Sequence, residues 1–285
     1  MDYAVHDKTG LNKTTNNLFK LKMDNVKNLS VILKVLNFKE IATCFVSTNG
    51  LKVVVEDSKC IQVSAYISSN VFQELHVKEN EQITFRIDLS TMLECLTIFD
   101  HCSSVPGLTT ALMMSYQYEG APLKMILEEN GIITDCLLKT MNADDILDFH
   151  FPTNSEINKI IVLANDFKEI FNDLDTSTDY VELFLSPEPP YFVITTHGLC
   201  GECQVNIPQN CDMIELFECK LDTKSRYKYP HFKAAIKPLS VSAKVAIRIS
   251  EEGLLCLQFM LHTEDKQICY IEYYCVPVVD DDEEY

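Results

Sequence analysis

The chain has 285 residues, 47% of them hydrophobic and 23% charged, with a formal net charge of -18. That length predicts two globular units of about 130 residues each, and the composition excludes long disorder. No apolar run reaches the ~20 residues of a membrane span and the polar opening MDYAVHDKTGLNKTTNN lacks a signal core, so the twelve cysteines are expected as free thiols of an intracellular protein.

In chain order, apolar and basic residues alternate from Phe19 to Met23, and Asp24 precedes a helical pattern through Val26, Leu29, Ile32, Leu33 and Leu36. Strands are expected at 42–46, 51–56, 60–67 and 82–87, with a short helical turn over 69–75. A second helix is expected over 89–99, with Met92, Leu93, Leu96 and Phe99 on one face. Three strands follow at 111–117, 123–127 and 132–139, separated by Glu119-Gly120 and Asn130-Gly131 turns. Residues 141–156 are acidic, contain a proline and read as a connector holding Ile146, Leu147, Phe149 and Phe151.

The order then restarts. A strand over 159–163 precedes a helix over 166–174, with Phe167, Ile170, Phe171 and Leu174 inward, and strands are expected at 181–185, 191–195, 202–207 and 214–219. A short helix near 231–236 and strands at 243–249, 254–261 and 268–275 complete the unit. The repeat is one of topology: strand, helix, four strands, helix, three strands, twice over.

An acidic protein repels a polyanion, but the charge is unevenly distributed. Lys220, Lys224, Arg226, Lys228, Lys233, Lys237 and Lys244 lie in one stretch against a single acid, Asp222, whereas 280–284 is a run of five acids. Lys27 and Lys34 share an outward helix face, Lys168 is expected at a similar place in the repeat, and Lys233 and Lys237 share another face, fed by Lys224, Arg226 and Lys228. Such lysines can neutralise phosphates without reading bases; the same pattern also fits ordinary solvated helix faces.

Other chemistries find less support. A two-metal nuclease needs rigid converging carboxylates, and Asp144, Asp145 and Asp148 lie in the connector. Cys200 and Cys203 form a C-x-x-C pair near His197, but Cys211 and Cys219 break the zinc spacing, so no metal is expected. The eight glycines form no phosphate loop, and no cofactor is expected.

The blocks DNVKNLSVILKVLNFKEIATCFVSTNGLKVVVEDSKCIQ, VFQEL, PYF, RYK and EDKQICYIEYYCVP, within about Leu18–Pro277, resemble the Rad-one subunits of the nine-one-one (9-1-1) checkpoint clamp, members of the PCNA-like clamp family. The resemblance implies an α+β fold of two clamp domains, 18–140 and 157–277, each with antiparallel sheets outside and two helices inside, joined by the connector 141–156 and flanked by termini 1–17 and 278–285. It implies a non-catalytic nuclear subunit that joins two paralogous subunits in a heterotrimeric ring around double-stranded DNA. An RFC-like clamp loader would place that ring, and checkpoint and repair proteins would use it. Lys27, Lys34, Lys168, Lys224, Arg226, Lys228, Lys233 and Lys237 would then face DNA. The connector residues Ile146, Leu147, Phe149 and Phe151 would dock partners, and edge strands at 132–139 and 214–219 would pair between subunits. A replicative homotrimeric clamp, or a metal-dependent 3'-5' exonuclease, is the alternative.

Overall fold

Alternation of apolar and polar side chains lets a strand bury one face, and β1 (Phe19–Met23) does so, with Phe19, Leu21 and Met23 in the core. The computed structural model describes residues 17–78, 82–100, 107–149, 158–199 and 201–278. After β1 come α1 (Lys27–Leu36), β2 (Ile41–Ser47), β3 (Gly50–Asp57), β4 (Ile61–Ser68), β5 (Glu74–Val77), β6 (Ile83–Asp88), α2 (Leu89–Leu96), β7 (Ala111–Tyr116), β8 (Leu123–Glu129) and β9 (Ile132–Leu138). The chain continues through β10 (Asn158–Leu163), α3 (Ala164–Asp173), β11 (Tyr180–Leu185), β12 (Phe192–Gly198), β13 (Gly201–Ile207), β14 (Ile214–Glu218) and β15 (Thr223–Lys228). It closes with α4 (Tyr229–Ala234), α5 (Ile236–Leu239), β16 (Ser242–Ile249), β17 (Leu255–His262) and β18 (Ile268–Cys275).

Three antiparallel sheets result, with orders β5-β1-β7-β8-β9, β14-β10-β16-β17-β18-β4-β3-β2-β6 and β13-β12-β11-β15. Adding nine to each strand number turns the first sheet, β5-β1-β7-β8-β9, into one end of the second, β14-β10-β16-β17-β18. The same shift turns β6-β2-β3-β4 into β15-β11-β12-β13. The repeat is therefore strand for strand. Its two copies meet where β18 pairs with β4, in a register running from Tyr270 opposite Tyr66 to Cys275 opposite Ile61.

One face of this nine-stranded sheet is predominantly apolar. Across the seam it presents Ile271 beside Ala65 and Tyr273 beside Val63, all buried. The helices cover it: α1 packs on β4, α3 and α5 pack on β16, and Tyr273 Oη donates to the His231 carbonyl of α4. Asp88 caps α2 by accepting from the Thr91 N–H at 2.7 Å. In the second half Phe171 of α3 stacks on Phe232 of α4, ring centroids 4.4 Å apart and planes 8° from parallel. Gly50 opens β3 at φ 138°, where a Cβ would lie 2.1 Å from the Ile67 carbonyl oxygen; no side chain fits there.

Several expectations need correction. Each half contains one strand more than expected. Of the turn expected over 69–75, only Ser69–Val71 is helical, and β5 follows because its backbone pairs with β1. The stretch through Lys224, Arg226 and Lys228 was expected to feed a helix but forms β15, paired with β11. The helix near 231–236 is two short helices, and the second helix ends at Leu96.

Removing the Phe232 ring would open a cavity against Phe171, so Phe232→Ala is expected to destabilise the fold by about 3–5 kcal/mol in chemical denaturation, and a change below about 1 kcal/mol would contradict the packing. The free thiols of Cys44, Cys256 and Cys275 lie in the core, where burial disfavours the thiolate and pushes each pKa up to about 12. A raised thiol pKa means less thiolate at a given pH, roughly one part in ten thousand at pH 8 for these three. Iodoacetamide on the folded protein at pH 8 should therefore spare them while modifying the partly exposed Cys203 and Cys211. Equal labelling of all five would refute the burial.

Candidate nucleic-acid interface and partner groove

Two sides of the seam carry different chemistry. On the helical side, Lys27 and Lys34 lie on the exposed face of α1, where one heptad brings residues back to the same side, and Val31 between them is exposed too. Lys34 Nζ lies 3.2 Å from Asp100 Oδ2, an exposed ion pair of small energetic weight. Lys237 of α5 reaches across to α1, donating to the Asn37 carbonyl at 3.2 Å. Lys233 is exposed on α4. Lys27, Lys34 and Lys237 are thus associated through neighbouring helices that belong to different copies of the repeat.

The other basic residues are placed differently. Aligning the buried residues of α1 (Leu29, Leu33, Leu36) with Phe167, Phe171 and Leu174 sets Lys168 opposite Ser30, a buried position, and Lys168 is accordingly half-buried. Asn165 and Asn172 stand where α1 has Lys27 and Lys34, so α3 lacks that cationic pair. Lys224, Arg226 and Lys228 lie opposite Phe184, Glu182 and Tyr180 of β11, on the sheet face away from the buried Val181, Leu183 and Leu185. Backbone parity therefore separates these three from the helix lysines, and Lys224 pairs with Glu182 at 2.9 Å.

On the side opposite the helices, the seam is polar and aromatic. Arg248 donates to Gln258 at 2.8 Å and Gln258 to Glu272 at 2.9 Å. Tyr66 and Tyr274 also donate to Glu272. The connector is fastened to this face. Leu147 N–H donates to Glu56 at 2.9 Å, Gln62 donates to the Leu147 carbonyl at 2.5 Å, and Phe149 stacks on Tyr274 with centroids 6.1 Å apart. Arg86 pairs with Asp144, and Arg86 and Met141 exchange both backbone hydrogen bonds. Phe151 lies outside the described residues.

Ile146 is an apolar connector side chain that borders open space, as Asp144 and Asp145 before it also do. It edges a groove of about 800 Å³ whose floor is a cross-strand row of Phe45, Lys52, Tyr66 and Tyr270. Lys52 Nζ sits 5.8 Å from the Phe45 ring centre and 5.2 Å from that of Tyr66, holding the two aromatics around a cation. The sequence reading missed this floor. Its signal is a large aromatic at strand positions of polar parity, Phe45 between the buried Cys44 and Val46 and Tyr66 between the buried Ala65 and Ile67.

The sheet ends matter equally. β9 exposes Ile132, Ile133 and Leu137, each more than 60% accessible. Both β9 and β14 end sheets, as expected. The internal repeat, however, makes β9 the counterpart of β18 and β13 the counterpart of β4, whereas β14 is the counterpart of β5. The edge analogous to the intramolecular seam is β13. Among the described residues no group of three or more His, Cys, Asp and Glu could hold a metal ion, and Cys200 falls outside them.

A family model described as "Repair protein Rad1/Rec1/Rad17" matches residues 18–261. The human "Cell cycle checkpoint protein RAD1" is 44% identical over 255 residues, covering 90% of either chain. The Drosophila melanogaster "DNA repair protein Rad1" is 27% identical over 269 residues, 93% of this chain and 95% of that one. The Schizosaccharomyces pombe "DNA damage checkpoint control protein rad1" is 24% identical over 288 residues, 94% and 89% of the two chains. With its duplicated array of antiparallel strands and sparse helices, the chain belongs to the Rad1 family of checkpoint and repair clamp subunits, whose fold is PCNA-like.

Proposed function

We propose that this checkpoint clamp subunit closes a heterotrimeric ring with two paralogous subunits around double-stranded DNA and works as a non-catalytic platform in the nucleus. The observation that carries the reading is the seam. Pairing of β18 with β4 is a worked example, inside one chain, of how one copy of the repeat docks on another. The equivalent strands β9 and β13 stand at sheet ends, and β9 carries bare isoleucine and leucine side chains. A paralogue offering the complementary strand would satisfy the open backbone groups and cover that apolar surface. In this reading the two domains are 18–140 and 157–277, divided at the connector.

Lys27, Lys34, Lys233 and Lys237 are the phosphate contacts, with Lys168 a weaker contributor because it is half-buried. Lysines on helix faces bind without reading bases, which suits a ring that must slide. Lys224, Arg226 and Lys228 have no part in this wall, since their strand face points away from the helices. Client peptides of checkpoint and repair proteins dock in the groove between Ile146 and the Tyr66–Tyr270 floor, where an apolar anchor would meet two aromatic rings. Loading by an RFC-like ATPase accords with a chain that shows no phosphate loop of its own.

The test is DNA retention by the assembled ring when Lys27, Lys34, Lys233 and Lys237 are all changed to alanine. Each lost phosphate contact should flatten the slope of log affinity against log salt by roughly 0.9. An unchanged slope would remove these four lysines from the interface.

A further inference from the structure

If the ring reading above holds, the seam inside the chain shows what is missing at the β13 edge. Equivalent cross-strand rows fix the comparison: Cys44–Val53–Ala65 across β2, β3 and β4 matches Leu183–Ile194–Val205 across β11, β12 and β13. Val63 and Ala65, paired with β18, are buried, whereas their counterparts Cys203 and Val205 are only half-buried. β13 is thus a copy of β4 that lacks its neighbour. On its other face it presents Glu202, Gln204 and Asn206, all exposed, with Glu202 in the place of Gln62 and His197 Nδ1 3.8 Å from its carboxylate.

The seam is also latched. The turn over 263–267, between β17 and β18, reaches the first turn of α1, where Asn25 donates to Glu264 and Asn28 to Asp265, each at 2.6 Å. The Glu264 N–H donates back to Asn28 at 3.0 Å, and both asparagines are buried. At the β13 edge α3 offers Asp166 where α1 has Asn28, and Asp166 is exposed. The negative charge there belongs to the helix, so a loop that latches it must bring the donor.

A second copy of this chain brings none. The row Leu21–Met114–Met125–Cys136 matches Ile160–Ile247–Leu257–Tyr273, which makes Leu137 the counterpart of Tyr274. Tyr274 lies opposite Gln62, so the β9 of a second copy would set Leu137 against the Glu202 carboxylate and Asp135 diagonally beside it. Its β8–β9 turn is Asn130-Gly131 alone, preceded by Glu128 and Glu129: too short for the latch, and of the wrong sign.

We propose that β13 and the first turn of α3 form one docking surface for an edge hairpin of a paralogous subunit, whose strand carries a cation opposite Glu202 and whose turn, longer than Asn130-Gly131, sets a second cation on Asp166. The two carboxylates select that hairpin over the β9 of a second copy, so a mixed ring is favoured over a ring of identical chains.

The test uses the full chain with its two paralogous partners, taking as the β13-side partner the one that protects β13 from hydrogen exchange. Glu202→Lys combined with Asp166→Lys should weaken that partner roughly tenfold or more in titration calorimetry, while the other paralogue binds as before. The neutral pair Glu202→Gln, Asp166→Asn should lose less and flatten the salt dependence of the joint. Unchanged affinity at β13 in a ring that still forms would overturn this proposal and leave the ring reading standing. A stable homotrimer of the unaltered chain would overturn it as well. Failure of the unaltered chain to join either paralogue would remove the ring reading itself, and this proposal with it.

Discussion

Backbone pairing between β18 and β4 is the interaction on which the rest of the structure depends. It welds the end of the second repeat to the middle of the first, and so turns two incomplete sheets into one of nine strands. An isolated strand edge is a liability, because its unpaired N–H and C=O groups invite any other strand. Here the pairing satisfies two such edges at once, and the shared apolar face then lets α1, α4 and α5 gather over the junction. The same event brings Lys237 up to the end of α1 on one side and assembles the Tyr66–Tyr270 groove floor on the other. Both candidate surfaces are consequences of one seam.

Electrostatics explains how a chain of formal charge -18 can belong to a family of DNA clamps. Charges separated by more than about 8 Å are largely screened at physiological ionic strength, so a local cluster is felt more strongly than the total. The helices over the seam present lysines at one-heptad and one-turn intervals, and the ion pair between Lys34 and the exposed Asp100 carries little energetic weight. The basic strand β15 obeys a different constraint, since period-two geometry fixes its cations on the far face of the sheet. Net negative charge elsewhere restrains non-specific binding of the free subunit.

Much of this architecture was legible in the sequence because strand alternation and helix periodicity are local signals. β1, β4, β16 and β17 have buried residues at the expected parity, and the restart after the connector is visible from the order of elements alone. The missed strands carry only a weak signal. In β5, Glu-Leu-His-Val alternates, with Leu75 and Val77 on one face, but over only four residues, and in β15 Thr-Lys-Ser-Arg-Tyr-Lys buries only Thr223 and Tyr227; each is a strand because a neighbour supplies hydrogen bonds. Of the site, the α1 lysines and the connector position of Ile146 were readable. Lys168 was placed too far outward because the register between α1 and α3 is set by Phe167 and Phe171 packing, and the groove floor depends on residues 204 positions apart, Tyr66 and Tyr270, which local periodicity does not connect.

The account stands or falls on whether subunits join as the two repeats do. Hydrogen exchange on the free chain and on the assembled ring compares all six sheet ends in one experiment. The account predicts that amides in β9 and β13 become strongly protected on assembly while those in β5 and β14 exchange as before. Protection confined to β5 or β14, with β9 still open, would contradict it.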